Sequence, residues 1–248
     1  MIKGIEPVPY NELDAIEHEL KFVIDQDCDQ KAILDFAFSP YGKIQKFRTS
    51  SVEDIYLDTS DYCLAKHGAF FRLREGWKKN KITINFKFPG EQRDGVFARR
   101  EVRSRFKPGP IDINRALDVS CEASLAAISF FKTYAPTGSD PQEVSCRLRV
   151  TTRRVLYALF GGDDEWEECG IIFFDTSTYH RSTSPQEKRE DFELEFEISS
   201  DLISRRTLDL LDEINNRLLS FGLLPSRKNK YARGLELFGV DVSSKSST

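Results

Sequence analysis

The chain has little of what usually announces a cofactor, a compartment or a nucleic-acid partner. Its five cysteines, Cys28, Cys63, Cys121, Cys146 and Cys169, are scattered and odd in number. No Cys-x-x-Cys or Cys/His spacing is able to close a tetrahedral zinc site, so reduced, unpaired thiols are expected. No window reaches the roughly 18 to 20 apolar residues that span a bilayer, and the first residues, MIKGIEPVPYNELD, hold neither a basic nor an apolar leader segment. A soluble, cytoplasmic protein with no membrane partner is the expectation. Glycines such as Gly42, Gly68, Gly76 and Gly90 stand singly in turns, and a Gly-rich loop of the P-loop kind is missing, so any phosphate must be held by side chains. Positive excess is missing as well. At a net charge of −4 the surface as a whole does not offer the electrostatic footprint that duplex nucleic acid requires. The three histidines, His18, His67 and His180, are isolated, and none is assigned a role.

What is present is charge in pattern. Most of the sequence alternates at a period of two, as strands do, which places strands near 17–25, 51–57, 69–75, 81–89, 96–106, 143–160, 170–180 and 190–199. Two stretches read as helix instead: 112–133, through Leu117, Leu125, Ile128 and Phe131, and 201–221, through Leu202, Leu208, Leu211, Ile214, Leu218 and Phe221. Asp201 is placed to cap the second and Gly222 to end it; a shorter helix fits 29–38. Turns are expected at Lys107-Pro108-Gly109-Pro110, at 137–141 and at 161–164. At 248 residues one domain over 17–240 is the simplest reading, with an N-terminal extension over 1–16 and a tail over 241–248.

Residues two apart on a strand share a face. Glu17, Glu19 and Lys21 stand opposite His18, Leu20 and Phe22, and Glu193, Glu195 and Glu197 stand opposite Phe192, Leu194, Phe196 and Ile198. Elsewhere the polar face is basic: Arg72 and Arg74; Lys81 and Lys87; Arg99, Arg103 and Arg105 around Glu101; then Arg147, Arg149 and Arg153. An ordinary solvated sheet face accounts for any one of these strands. It does not account for the set, because like charges aligned on one face repel and a surface sheet has no reason to sort its signs by strand. A closed antiparallel barrel of eight strands, an α+β tunnel with charge inside and apolar residues outside under helices, makes that segregation useful. Carboxylates on two strands suit Mg²⁺ or Mn²⁺, and cations from many directions suit a chain of phosphates.

At these residues the sequence resembles the CYTH superfamily, the triphosphate tunnel metalloenzymes. The family's Glu-x-Glu-x-Lys is matched by Glu17-His18-Glu19-Leu20-Lys21, and its second signature by Tyr56-Leu57-Asp58-Thr59 with Phe71-Arg72-Leu73-Arg74. Asn85-Phe86-Lys87, Arg99-Arg100-Glu101, Arg147-x-Arg149, Phe174-Asp175-Thr176, Glu193-Leu194-Glu195-Phe196-Glu197 and Arg227-Lys228-Asn229-Lys230-Tyr231 follow in order. The ordered set, over about 17–238, carries the resemblance; one Glu-x-Glu-x-Lys does not.

The resemblance implies a metal-dependent hydrolase of a small-molecule triphosphate or polyphosphate, monomeric or homodimeric. Glu17, Glu19, Glu195 and Glu197 are then the metal ligands, and Glu101 and Glu193 orient the attacking water. Phosphate contacts fall to Lys21, Arg72, Arg74, Lys87, Arg99, Arg103, Arg147, Arg149, Arg153 and either Lys228 or Lys230. The same tunnel also serves class IV adenylyl cyclases, polyphosphate polymerases and non-catalytic polyphosphate-binding modules, so the fold does not by itself choose among them.

Overall fold

The computed structural model describes residues 11–75, 82–93, 96–107, 116–117, 120–134, 144–161, 167–198, 204–226 and 228–242. Its strands are β1 (Asn11–Val23), β2 (Lys43–Asp58), β3 (Phe70–Glu75), β4 (Ile82–Lys87), β5 (Glu91–Arg93), β6 (Val96–Phe106), β7 (Ser145–Gly161), β8 (Glu167–Arg181), β9 (Ser184–Ile198) and β10 (Leu224–Pro225). Eight of them form a ring in the order β1-β9-β8-β7-β2-β3-β4-β6, with each neighbour antiparallel, and the pairing of β1 with β6 shuts it. Short β5 and β10 lie against β6 and β1. The expected closed eight-stranded antiparallel barrel is therefore the architecture.

Several strands run further than their side-chain pattern foretold. β2 starts at Lys43, not 51, and residues 43–49 are largely exposed. Its backbone is held by β7, from Lys43 opposite Phe160 to Ser50 opposite Arg154, with a register shift between Lys46 and Arg48. Backbone pairing extends a strand without any apolar face, so the periodicity does not see it. The same holds for β1, which begins at Asn11, and β9, which begins at Ser184.

Five α-helices are described: α1 (Gln30–Ile33), α2 (Cys63–Lys66), α3 (Glu122–Tyr134), α4 (Arg205–Ser220) and α5 (Lys230–Leu237). The helix expected over 29–38 is split, α1 giving way to a π-helical turn over Leu34–Phe38. α3 begins at Glu122, not 112; Ala116 and Leu117 are apolar because they pack on the core from a separate short turn. α4 starts behind Ser204, whose hydroxyl accepts from the Thr207 amide while Thr207 answers in a capping box. Gly222, at φ +96°, follows its end as expected. The turn at 108–110, the loop at 137–141, the hairpin tip at 162–164, Lys81, Asp201 and the tail from 243 lie outside the described residues. No helix among the described residues is long and apolar enough to cross a membrane.

The outward faces pack under the helices. Leu57, Phe71, Leu73, Ile84, Phe86 and Val102 lie with Ala123, Ala127, Phe130 and Phe131 of α3. Around the ring, Leu20, Phe22, Ile172, Phe174, Leu194 and Phe196 meet Leu211, Ile214 and Leu218 of α4. Each such buried side chain contributes about 1.5 to 3 kcal/mol. The third cluster lies within the barrel: Leu148, Val150 and Tyr179 meet Tyr231 and Leu235 of α5. That helix fits closely, since a Cβ on Gly234 would come within 2.5 Å of Leu148 Cδ2 and Tyr179 Cδ1. One end of the interior is thus filled by α5, and the rest is left to polar groups.

Candidate active site in the barrel interior

The inward face follows from cross-strand register. Glu17 and Glu19 of β1 lie opposite Arg99 and Phe97 of β6, and Glu19 and Lys21 lie opposite Glu197 and Glu195 of β9. Around the ring, Lys87 faces Glu101, Asn85 faces Arg103, and Arg72 faces Asn85 and Tyr56. The charged members of this set, with Tyr56, border a cavity of about 90 Å³. Among the described residues eight cations line it: Lys21, Arg72, Arg74, Lys87, Arg99, Arg103, Arg154 and Lys230. Five carboxylates, Glu17, Glu19, Glu101, Glu195 and Glu197, do the same.

Most of these charges are paired. Lys21 Nζ is 2.8 Å from Glu195 and 3.0 Å from Glu19. Lys87 donates to Glu17, Arg99 to Glu19, and Asn85 to Glu101. Burial pushes the Glu101 carboxyl up, but Lys87, Arg103 and Arg72 outweigh it and bring its pKa to about 2. Two further aspartates stand behind the wall. Asp54 accepts from Arg74 Nε at 2.6 Å and Nη2 at 2.8 Å. Asp175 accepts from Arg154 Nε at 2.7 Å and from Lys230 at 2.8 Å. Asp54, Asp175 and Arg154 were not among the expected site residues.

Pairing is incomplete in two respects. Arg72 Nε, Arg99 Nε and Arg103 Nε are buried donors with no hydrogen-bond acceptor, and Asn85 Oδ1 is a buried acceptor with no donor. Among the described residues no ion pair is made by Glu197, whose carboxyl is pushed up to about 8 by burial and by the nearby Glu17 carboxylate. A buried carboxylate beside others of its kind is relieved by a cation. The donor set Glu17, Glu19, Glu195 and Glu197 is all oxygen on two adjacent strands, which fits a hard divalent ion. A second acidic group, Asp175, Glu193 and Glu195, has ligand atoms within 4.8 Å of one another. It already holds a cation: Lys230 Nζ lies 2.8, 3.4 and 3.8 Å from those three residues.

Other sequence candidates fall elsewhere. Glu193 is fully buried beneath Arg233, which donates to it, and does not line the cavity. Arg147, Arg149 and Arg153 stand on the outer face of β7: Arg149 pairs with Glu53 at 3.2 Å, Arg147 donates to the Asp58 carbonyl and Arg153 is exposed. The inward face of β7 is Leu148, Val150, Thr152 and Arg154, because α5 requires apolar partners there. Lys228 is on the surface with Glu236, whereas Lys230, at the first turn of α5, is buried in the cavity wall. Asp58 serves structure: it accepts from the amides of Thr59, Leu64 and Ala65 and from the Tyr231 hydroxyl, tying α2 to α5.

Among the described residues two aromatic rings line the cavity, Phe70 and Tyr56, and each already makes a cation or stacking contact. Arg72 and Arg99 lie over Phe70 at 5.5 and 5.4 Å. Tyr56 is stacked on Tyr231 at 5.0 Å and 4°.

No family model and no curated protein matches the chain. Solved structures do. A candidate adenylyl cyclase from Hippeastrum, HpAC1, described as having a dominant triphosphatase activity, aligns over 92% of this chain and 99% of its own with a TM-score of 0.55 at 17% identity. A candidate adenylate cyclase from Bacillus halodurans aligns over 89% and 97%, with a TM-score of 0.53 at 20% identity. The PH1819 protein of Pyrococcus horikoshii aligns over 92% and 100%, with a TM-score of 0.50 at 13% identity. At such identities the likeness speaks for the fold alone, a closed eight-stranded antiparallel barrel.

Proposed function

We propose that the chain hydrolyses a phosphoric anhydride bond of a triphosphate within the barrel, assisted by Mg²⁺ or Mn²⁺ at Glu17, Glu19, Glu195 and Glu197. One observation carries the reading: cations from β1, β3, β4, β6, β7 and α5 converge on one cavity, and three of its guanidinium Nε donors lack acceptors. Phosphate oxygens supply acceptors in several directions at once, which a single carboxylate does not.

Held by Glu17, Glu19, Glu195 and Glu197, a divalent ion would supply charge neutralisation for phosphate oxygens and activation of water. The chain's own part is positioning and charge. Lys21, Lys87 and the arginines draw the phosphate chain in and stabilise charge on the phosphoryl being transferred. Glu101 faces the cavity and is fixed by Asn85, which suits it to orient the attacking water. Glu193, buried under Arg233, takes no part.

Tripolyphosphate is the preferred substrate over ATP in this proposal. Arg72 and Arg99 lie over the Phe70 ring and Tyr231 stacks on Tyr56, so adenine would compete with contacts these rings already make while adenosine adds bulk. Cyclisation is the rival, since two proteins of this fold carry adenylyl cyclase among their descriptions. Phosphate release from tripolyphosphate and from ATP, with Mg²⁺, with Mn²⁺ and in excess chelator, separates the two. The expected result is a higher kcat/KM for tripolyphosphate and no turnover in chelator. Cyclic AMP among the products, preference for ATP, or turnover unaffected by chelator overturns the proposal.

A further inference from the structure

We infer that Asp54 is a positioning residue of the phosphate site, a carboxylate behind the cavity wall that fixes the direction of Arg72 and Arg74. The inference rests on reading the cavity as a triphosphate site.

Asp54 sits on β2 directly across from Arg74 of β3, is 0% exposed and does not line the cavity. Its two oxygens accept the Nε and Nη2 of Arg74 at 2.6 and 2.8 Å, the side-on fork that holds both the place and the plane of a guanidinium. Arg72 Nη1 lies 3.5 Å from Oδ2 of the same carboxylate, with the Phe70 ring beneath its guanidinium. A guanidinium offers five donors. The bidentate contact uses one edge of Arg74 and leaves the other for a ligand, while Arg72 keeps a buried Nε that nothing in the protein accepts. Both arginines are therefore set before an anion arrives, which spares the ordering of two long side chains on binding. A metal-ligand role in the cavity is not open to Asp54, which is fully buried and absent from the cavity lining.

Charge and position make opposite demands, and that opposition supplies the test. Replacing Asp54 by Asn makes the surroundings of the cavity more positive by one unit. Electrostatics alone would then tighten the binding of a polyanion; loss of positioning loosens it. A purely structural role would lower the melting temperature and leave the affinity of folded molecules as it was.

Calorimetric titration of the full chain with inorganic tripolyphosphate, well below the melting temperature, reads this directly. For Asp54→Asn the dissociation constant should rise at least about tenfold with stoichiometry kept; an unchanged or tighter value overturns the inference. If Asp54→Asn does not fold, Arg74→Gln is compared with the double variant Asp54→Asn, Arg74→Gln, in which two amides face each other. Only the double variant strips Arg72 of its anchor, so it should bind about threefold or more weakly than Arg74→Gln, and equal or tighter binding again overturns the inference. Wild type that fails to bind tripolyphosphate refutes the triphosphate reading itself. Wild type that binds alongside an Asp54→Asn variant of equal affinity refutes the role of Asp54 alone.

Discussion

The two ends of the barrel interior are built by opposite means. At one end Leu148, Val150 and Tyr179 point inward and α5 fills the space with Tyr231 and Leu235. At the other the inward side chains are ionic, and the space is left as a cavity walled by ion pairs. The apolar end is packed in the free protein, with the Tyr179 hydroxyl buried there without a hydrogen-bond partner. The ionic end satisfies most of its charges but leaves Arg72, Arg99 and Arg103 each with an Nε lacking an acceptor. The first arrangement stabilises the fold; the second holds binding capacity in reserve.

The sharpest test of that division uses neighbours in sequence. Arg154 points inward, bound to Asp175 and Glu195, while Arg153 is exposed on the outer face. Arg154→Ala should weaken tripolyphosphate binding by on the order of 2 to 5 kcal/mol, as expected when one partner of a buried charge pair is truncated. Arg153→Ala should leave binding unchanged and stability within about 0.5 kcal/mol. Equal losses from both, by calorimetry, would mean that the register of β7 does not decide which arginine serves the site.

The apolar end is tested by Leu235→Ala. Leu235 is fully buried, so the variant should lose about 2 to 5 kcal/mol in urea unfolding. If the division is right, saturating tripolyphosphate adds the same increment to variant and wild type, about 2.7 kcal/mol at a hundred times Kd. An increment lost along with the leucine would show that the two ends are not separate.

Acid should act on the ionic end through its buried aspartates, and more gently. Burial raises the carboxyls of Asp54 and Asp175, but Arg72 and Arg74 outweigh it at Asp54, Arg154 and Lys230 outweigh it at Asp175, and both are held below the usual range. The folded state then binds fewer protons than the unfolded one. The contribution of these pairs is present above about pH 4, the unfolded value, and is lost as pH falls further. In urea titrations, a loss of stability below about pH 4 that is equal in wild type and in Asp54→Asn would show that this pair does not help hold the barrel.

Much of the fold was legible because alternation at a period of two and two amphipathic helices are written in side chains. The carboxylates of β1 and β9 and the cations of β3, β4 and β6 were legible for the same reason: on those strands one face is ionic and the other apolar. β7 is different. Its Arg-Leu-Arg-Val run reads as an ionic inner face, yet the apolar residues turn inward, because the filler is α5 from far along the chain. Nothing local to 147–154 reports that helix. Its own signal was available: Asn229 as an N-cap, whose side-chain oxygen accepts from the Ala232 amide, ahead of Tyr231 and Leu235 at helical spacing. Asp54 was hidden by Glu53 beside it, since the sequence does not say which of two adjacent acids faces in.

The ring is shut by β1, which pairs with β6 on one side and β9 on the other. The β1–β9 seam joins parts of the chain far apart in sequence; Lys21 and Glu195, in direct contact across it, are 174 residues apart. Long-range pairings of this sort are slow to form, because the entropy of closing the loop is lost before contacts reward it. The same seam brings Glu19 opposite Glu197 and Lys21 opposite Glu195. A chain that has folded everything except this junction therefore has half of each charge constellation and no enclosed site, so binding competence and the final step of folding arrive together.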